Sequence, residues 1–254
     1  MLVLVVGGWV AGRDAPVVRA PQPVAGADSA LEPAPVGPRG PQAAPDPTPE
    51  AALPATSTAT TLVAESEVAE SEVAQAGTGR LLVVPGTRAE TDQDGRVVSY
   101  RVLVEEGLTV AGAPVDGPLI ADTVHAVLTA PQGWQGVDGV RFRGVDGSRA
   151  DMDVVIASPD TTDQLCAPLG TGGWLSCFNG SAAVLNARRW FAGAQTYGQD
   201  VVTYRTYLVS HEVGHYLGHQ HEGCPSAGLP APVMVQQTKS LEGCLANPWP
   251  NPAG

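Results

Sequence analysis

The chain has 254 residues and a mass of 26.1 kDa, with 26 acidic side chains against 14 basic ones and a formal net charge of −12. It contains a single lysine, Lys239, which argues against nucleic acid as a partner, because proteins that grip phosphate cluster Lys and Arg on one face. Eleven of the 23 prolines fall within residues 16–54, so the apolar 43% can build a core only in the remainder, as one folded domain behind a disordered arm.

The N-terminus opens with Leu2-Val3-Leu4-Val5-Val6 and meets its first charge at Arg13. Residues 1–12 are too short to span a bilayer, which needs about 20 apolar residues. They are similar to the apolar part of a secretion signal, without the basic residues that should precede it. Two readings stay open: a signal or membrane anchor whose start lies upstream of Met1, and an apolar tail with no targeting role. Residues 13–78 read as a disordered Pro/Ala/Glu-rich linker. Pro, Ala, Thr and Gly dominate residues 15–60 and bury too little apolar surface to offset the entropy of ordering. The unit Glu-Ser-Glu-Val-Ala then occurs twice in tandem at 65–69 and 70–74, and a five-residue period builds no stable helical stripe.

Order is expected from Gly79, with a domain over residues 79–254. Leu81 to Val84 before Pro85-Gly86 reads as a strand, and Val97 to Glu105 alternates at strand period, with a hairpin-type signal at Asp94-Gly95 between them. Leu119 to Leu128 has helical spacing through Leu119, Val124, Val127 and Leu128. Two further strands are expected at Val140 to Val145 and Asp151 to Ala157 around the turn at Asp146-Gly147, and a shorter one at Ala182 to Asn186. The segment from about Val201 to Leu217 is helical, with Gly214 its one interior glycine. Strands and helices mix without regular βαβ alternation, which predicts the α+β class.

Four of the five histidines lie in the run His211-Glu212-Val213-Gly214-His215-Tyr216-Leu217-Gly218-His219-Gln220-His221. His211 and His215 are one helical turn apart, so both imidazoles project from one face and can share a metal ion. On a continuing helix His219 would sit about 12 Å beyond His211 along the axis. Gly218 offers a stop, because a glycine past the last turn takes the left-handed conformation, and a strand after it can return His221 as third ligand. Glu212 lies about 100° around the helix from His211, beside the ion, where it can act as general base toward a metal-activated water.

The string matches the extended zinc signature of the metzincin metallopeptidases, HExxHxxGxxH, at His211, Glu212, His215, Gly218 and His221. The resemblance implies one catalytic zinc ion and a twisted mixed sheet carrying a long active-site helix. It also implies a methionine turn beneath the metal, for which Pro232-Val233-Met234 is suitably placed, although Met234 also reads as an ordinary core methionine. The stretches YRTYLVSHEVGHYLGH, PAPVMVQQTKSLEGC and NPWP, with the chain from residue 79 to 252, also resemble an actinobacterial family catalogued as domain of unknown function 3152. Two departures stand out. Gln236 occupies the position where many metzincins place a tyrosine, and His219 fills a position the signature leaves free, where it reads either as a residue lining the cleft or as a plain solvated histidine, the second being the expected one. Asn186 reads either as a residue that hydrogen-bonds an extended substrate by strand addition or as an edge-strand residue with no ligand role.

The four cysteines, Cys166, Cys177, Cys224 and Cys244, include no CxxC pair and allow three pairings. The sequence-local one, Cys166 with Cys177 and Cys224 with Cys244, closes two short loops and is the expected arrangement. Disulfides persist outside the reducing cytosol, which agrees with export to the cell surface or beyond. The leading functional reading is an exported zinc endopeptidase, monomeric, acting on a peptide or protein substrate that includes the cell envelope as one source. Its rival is a surface binding or scaffold domain that keeps zinc for stability alone.

Overall fold

The computed structural model describes residues 68–147 and 149–251. The apolar segment 1–12 and the linker as far as residue 67 lie outside the described residues. Residues 68–78, assigned above to the linker, are part of the domain. A 3-10 turn at Glu70–Glu72 leads into Val73, which is buried and bridged to Val110, and Glu70 pairs with Arg189 at 2.8 Å. Composition marks this stretch as poor in apolar residues, but it reports nothing of the partners that a fold provides.

Strand β1 (Leu81–Val83) runs antiparallel to β2 (Arg96–Glu105), with Leu81 opposite Glu105 and Val83 opposite Leu103. That register leaves residues 84–95 as a long connection, so Asp94-Gly95 closes no tight hairpin. Arg96 instead donates its N–H to the Gly139 carbonyl, just before β5 (Val140–Gly144) begins. A small ribbon of β3 (Thr109–Val110) and β4 (Ala113–Pro114) follows β2.

Both β5 and β6 (Met152–Ala157) run parallel to β2. The Tyr100 carbonyl accepts from Val145, and the neighbouring Ser99 carbonyl accepts from Asp151. Successive carbonyls of a strand point to opposite edges, so β5 and β6 flank opposite edges of β2. The turn at Asp146-Gly147 therefore belongs to a crossing at the level of Tyr100 and not to a hairpin. β8 (Ala182–Asn186) lies parallel to β6, and β7 (Cys177–Phe178) pairs antiparallel with β8. The mixed sheet has the order β1-β2-β6-β8-β7, with β5 beside β2.

The period-2 alternation of the strands sends side chains to two cores. Tyr100, Val102, Val154, Ile156 and Leu185 join the larger one, with α1 (Gly117–Leu128) and α5 (Val201–Leu217), while Leu103, Val155 and Val184 join the smaller one with Cys166 at the end of α3 (Pro159–Cys166). Helix α1 is capped by Asp116, whose carboxylate accepts the Leu119 N–H at 3.0 Å. Its buried face starts at Ile120; Leu119, counted above in the apolar stripe, points outward and is 61% exposed. The architecture is α+β, a mixed sheet with α5 packed against β8.

Candidate metal centre

Helix α5 begins at Asp200, whose side chain accepts the Thr203 N–H, and ends at Gly218 with φ 103°. Only glycine adopts that φ without steric cost, and the reversal lets His219 donate its N–H back to the Gly214 carbonyl at 3.0 Å. The chain then returns as an irregular segment, pinned where Glu222 donates to the Met234 carbonyl at 3.1 Å and by the Cys224–Cys244 bridge. These contacts carry His221 back to the helix face that presents His211 and His215.

The three imidazoles meet. Their candidate ligand nitrogens all lie within 4.8 Å of one another, and Nε2 of His215 is 3.1 Å from Nε2 of His221. Nδ1 of His211 lies 2.9 Å from the Val233 carbonyl, and Nδ1 of His215 lies 2.9 Å from the His219 carbonyl. A carbonyl only accepts, so each Nδ1 carries the proton and each Nε2 keeps its lone pair for the shared space. Burial holds His211 far below the usual imidazole range, at about 3; His221 is lowered too, by burial first, then by His215 and Lys239. Neutral rings are the form that binds a cation.

Glu212 follows His211 on the helix and is buried, 5% exposed, with no hydrogen bond or ion pair to its carboxyl among the described residues. Burial alone pushes it up to about 8. The carboxyl and the three rings line a cleft of about 470 Å³. Its far wall is the loop between Cys166 and Cys177, closed by their disulfide, together with Phe178 of β7, the edge strand of the sheet.

Met234 is 1% exposed and packs beneath α5. A Cβ at Gly214 would lie 2.5 Å from the Met234 sulfur and 2.7 Å from Cζ2 of Trp134, so the helix approaches both only because residue 214 is glycine. Trp134, in α2 (Trp134–Asp138), donates its indole N–H to the Ser210 carbonyl. The segment after Met234 is held by groups that sequence reasoning passed over. Tyr207 donates to the Val235 carbonyl and accepts from the Gln237 N–H, and the fully buried Gln237 side chain is bonded to Tyr197 and to the backbone of Asn247. The one available signal was Gly214, an otherwise unfavourable residue inside a long helix.

Three further residues take positions that differ from expectation or from the motif. Asn186 is fully buried, on a strand paired on both sides, and its side chain caps α4 (Ala187–Ala192) by accepting the Arg188 N–H. It is a cap residue and cannot reach a substrate; the edge that the sheet presents at the cleft belongs to β7. His219 is only partly solvated, its side chain 34% exposed: its ring stacks on Trp134 at 4.2 Å between centroids, and Nε2 lies 2.8 Å from the Asp138 carboxylate. Gln236 lines the cleft and accepts from Lys239 Nζ at 3.2 Å.

Both local disulfides are present and no described cysteine is free, which fits folding in an oxidising compartment. No helix among the described residues is long and apolar enough to cross a membrane. With this geometry in place, comparison with known families finds a match over residues 68–246 to the family described as "Protein of unknown function (DUF3152)". The chain belongs to that family. The match starts at Val68, where the described domain starts, and takes in the histidine string, Met234, Gln237 and all four cysteines. No curated protein and no solved structure matches the chain.

Proposed function

We propose that this domain is an exported zinc-dependent endopeptidase of metzincin type. The observation that carries the reading is the convergence of three imidazoles beside a buried carboxyl that has no hydrogen bond or ion pair among the described residues, all lining one cleft. The donor set fits zinc: three nitrogen ligands, two of them oriented by backbone carbonyls at 2.9 Å, with space left in the cleft for a further ligand. His211, His215 and His221 would hold the ion, which when bound supplies a Lewis acid that polarises the scissile carbonyl and acidifies water.

The chain's own part in hydrolysis is to place the peptide and to move one proton. An extended substrate can add to the open edge of β7, which sets its carbonyls along the cleft. Burial favours the protonated form of Glu212, and the charge of an ion held by the three histidines would favour the ionised one; as carboxylate, Glu212 takes a proton from the attacking water as the water oxygen bonds to the carbonyl carbon. It then delivers that proton to the leaving nitrogen as the C–N bond breaks. A site that only stabilised the fold would have no use for a buried acid that finds no partner among the described residues.

The test is metal analysis combined with cleavage of a broad peptide library by the chain and by Glu212→Gln, with and without chelator. The variant should bind zinc and melt like the parent, while hydrolysis falls by about 10² to 10⁴. Equal, chelator-resistant cleavage by both would remove Glu212 and the metal from the mechanism. Zinc binding with no hydrolysis by either would leave a scaffold role for the metal.

A further inference from the structure

We propose that Lys239 makes this cleft selective for peptides that carry a carboxylate on the side facing it. The inference rests on the hydrolytic reading above and names its substrate class. In a chain with 26 acidic side chains, the single lysine stands on the cleft wall. No carboxylate of the described residues lies within ion-pair distance of it. Among the described residues its one hydrogen-bond partner is neutral, the Gln236 side-chain oxygen at 3.2 Å. An ammonium has three N–H donors, so this contact orients the group and leaves donors for a ligand.

The rest of the lining sharpens the argument. Among the described residues that line the cleft, Lys239 is the only Lys or Arg and Glu212 the only Asp or Glu. Glu212 is buried beside the three histidines, whereas Lys239 is exposed. The cleft residues supplied by the Cys166–Cys177 loop, Leu169, Gly170, Thr171 and Leu175, carry no charge. A peptide lying along the cleft therefore meets one fixed cation, and the chemistry that answers an uncompensated ammonium is a carboxylate. Such a group comes either from an acidic side chain or from a free C-terminus.

The zinc-loaded full chain is offered three peptides built on one neutral core: one with an internal Glu and an amidated end, one neutral with a free C-terminus, and one neutral and amidated. At least one carboxylate-bearing peptide should be cut with a kcat/KM about three- to fivefold above the amidated one, the range of an exposed ion pair, and which one identifies the source. The advantage should lie in KM and shrink with added salt. Lys239→Met should bring the ratio to about one, and Lys239→Glu should invert it. A parent with no preference overturns the proposal, as does a Lys239→Met variant that slows all three peptides equally, which would place the ammonium at the reacting centre. If none is cut, the hydrolytic reading fails separately, and binding of the same labelled peptides by fluorescence anisotropy decides the matter. Carboxylate-dependent affinity lost in Lys239→Met supports selection, and equal or absent affinity overturns it.

Discussion

His219 occupies the free position of the histidine string, yet both its backbone and its ring bear on the site. Its carbonyl accepts from Nδ1 of His215, and its ring is fixed by Trp134 and Asp138. The ring orientation of His215 thus depends on a turn that the His219 side chain anchors. His221→Ala should abolish tight zinc binding, since it removes a donor. His219→Ala keeps the carbonyl but frees the turn, and should weaken zinc by about tenfold, the lower end of the range for lost outer-sphere support. Competitive zinc titration of the two variants checks this order. Stronger loss in His219→Ala would mean that His221 is not a ligand.

At the scale of elements, the N-terminal margin is latched to the sheet by one acid. Glu105, the last residue of β2 and 2% exposed, accepts from the Gly79 and Ser158 N–H groups, both at 2.7 Å, and from the Thr161 hydroxyl at 2.6 Å. Burial alone would raise its pKa; the hydrogen bonds to Thr161, Ser158 and Gly79 outweigh it and hold the group below the usual 4.5. A depressed folded-state pKa stabilises above the unfolded value and is lost as pH falls through the folded one. Glu105→Gln should therefore cost roughly 2 kcal/mol near pH 7, and the gap to the parent should close below about pH 4. Urea melts of both proteins at pH 7 and pH 3 check it; a gap that widens in acid would contradict the latch.

For the whole molecule, the unit that folds is larger than the hydrophobic pattern suggested. Val73 is buried, Ala74 donates to the Thr109 carbonyl, Gln75 bonds Asp160, and the family match begins at Val68. Limited proteolysis of the full chain should stop at a stable core whose first residue lies near 68, located by mass spectrometry of the unreduced fragment. A core beginning near 79 would show that the 68–78 contacts do not hold in solution. The same fragment should retain both disulfides.

Much of the site was legible because it is local. The span of α5, the stop at Gly218 and the shared face of His211 and His215 follow from helical period and backbone sterics, which act within a few residues. So does the alternation that sends Val154 and Val155 to opposite faces of the sheet. Asp94-Gly95 misled for the complementary reason: a turn signal states that the chain bends, while the partner strand is chosen by packing far along the sequence. Tertiary structure alone placed Asn186 inside the sheet, set Trp134 and Met234 against Gly214, and brought Lys239 to the wall of the cleft. Each of these depends on which distant surfaces meet, and no periodicity in the chain encodes that.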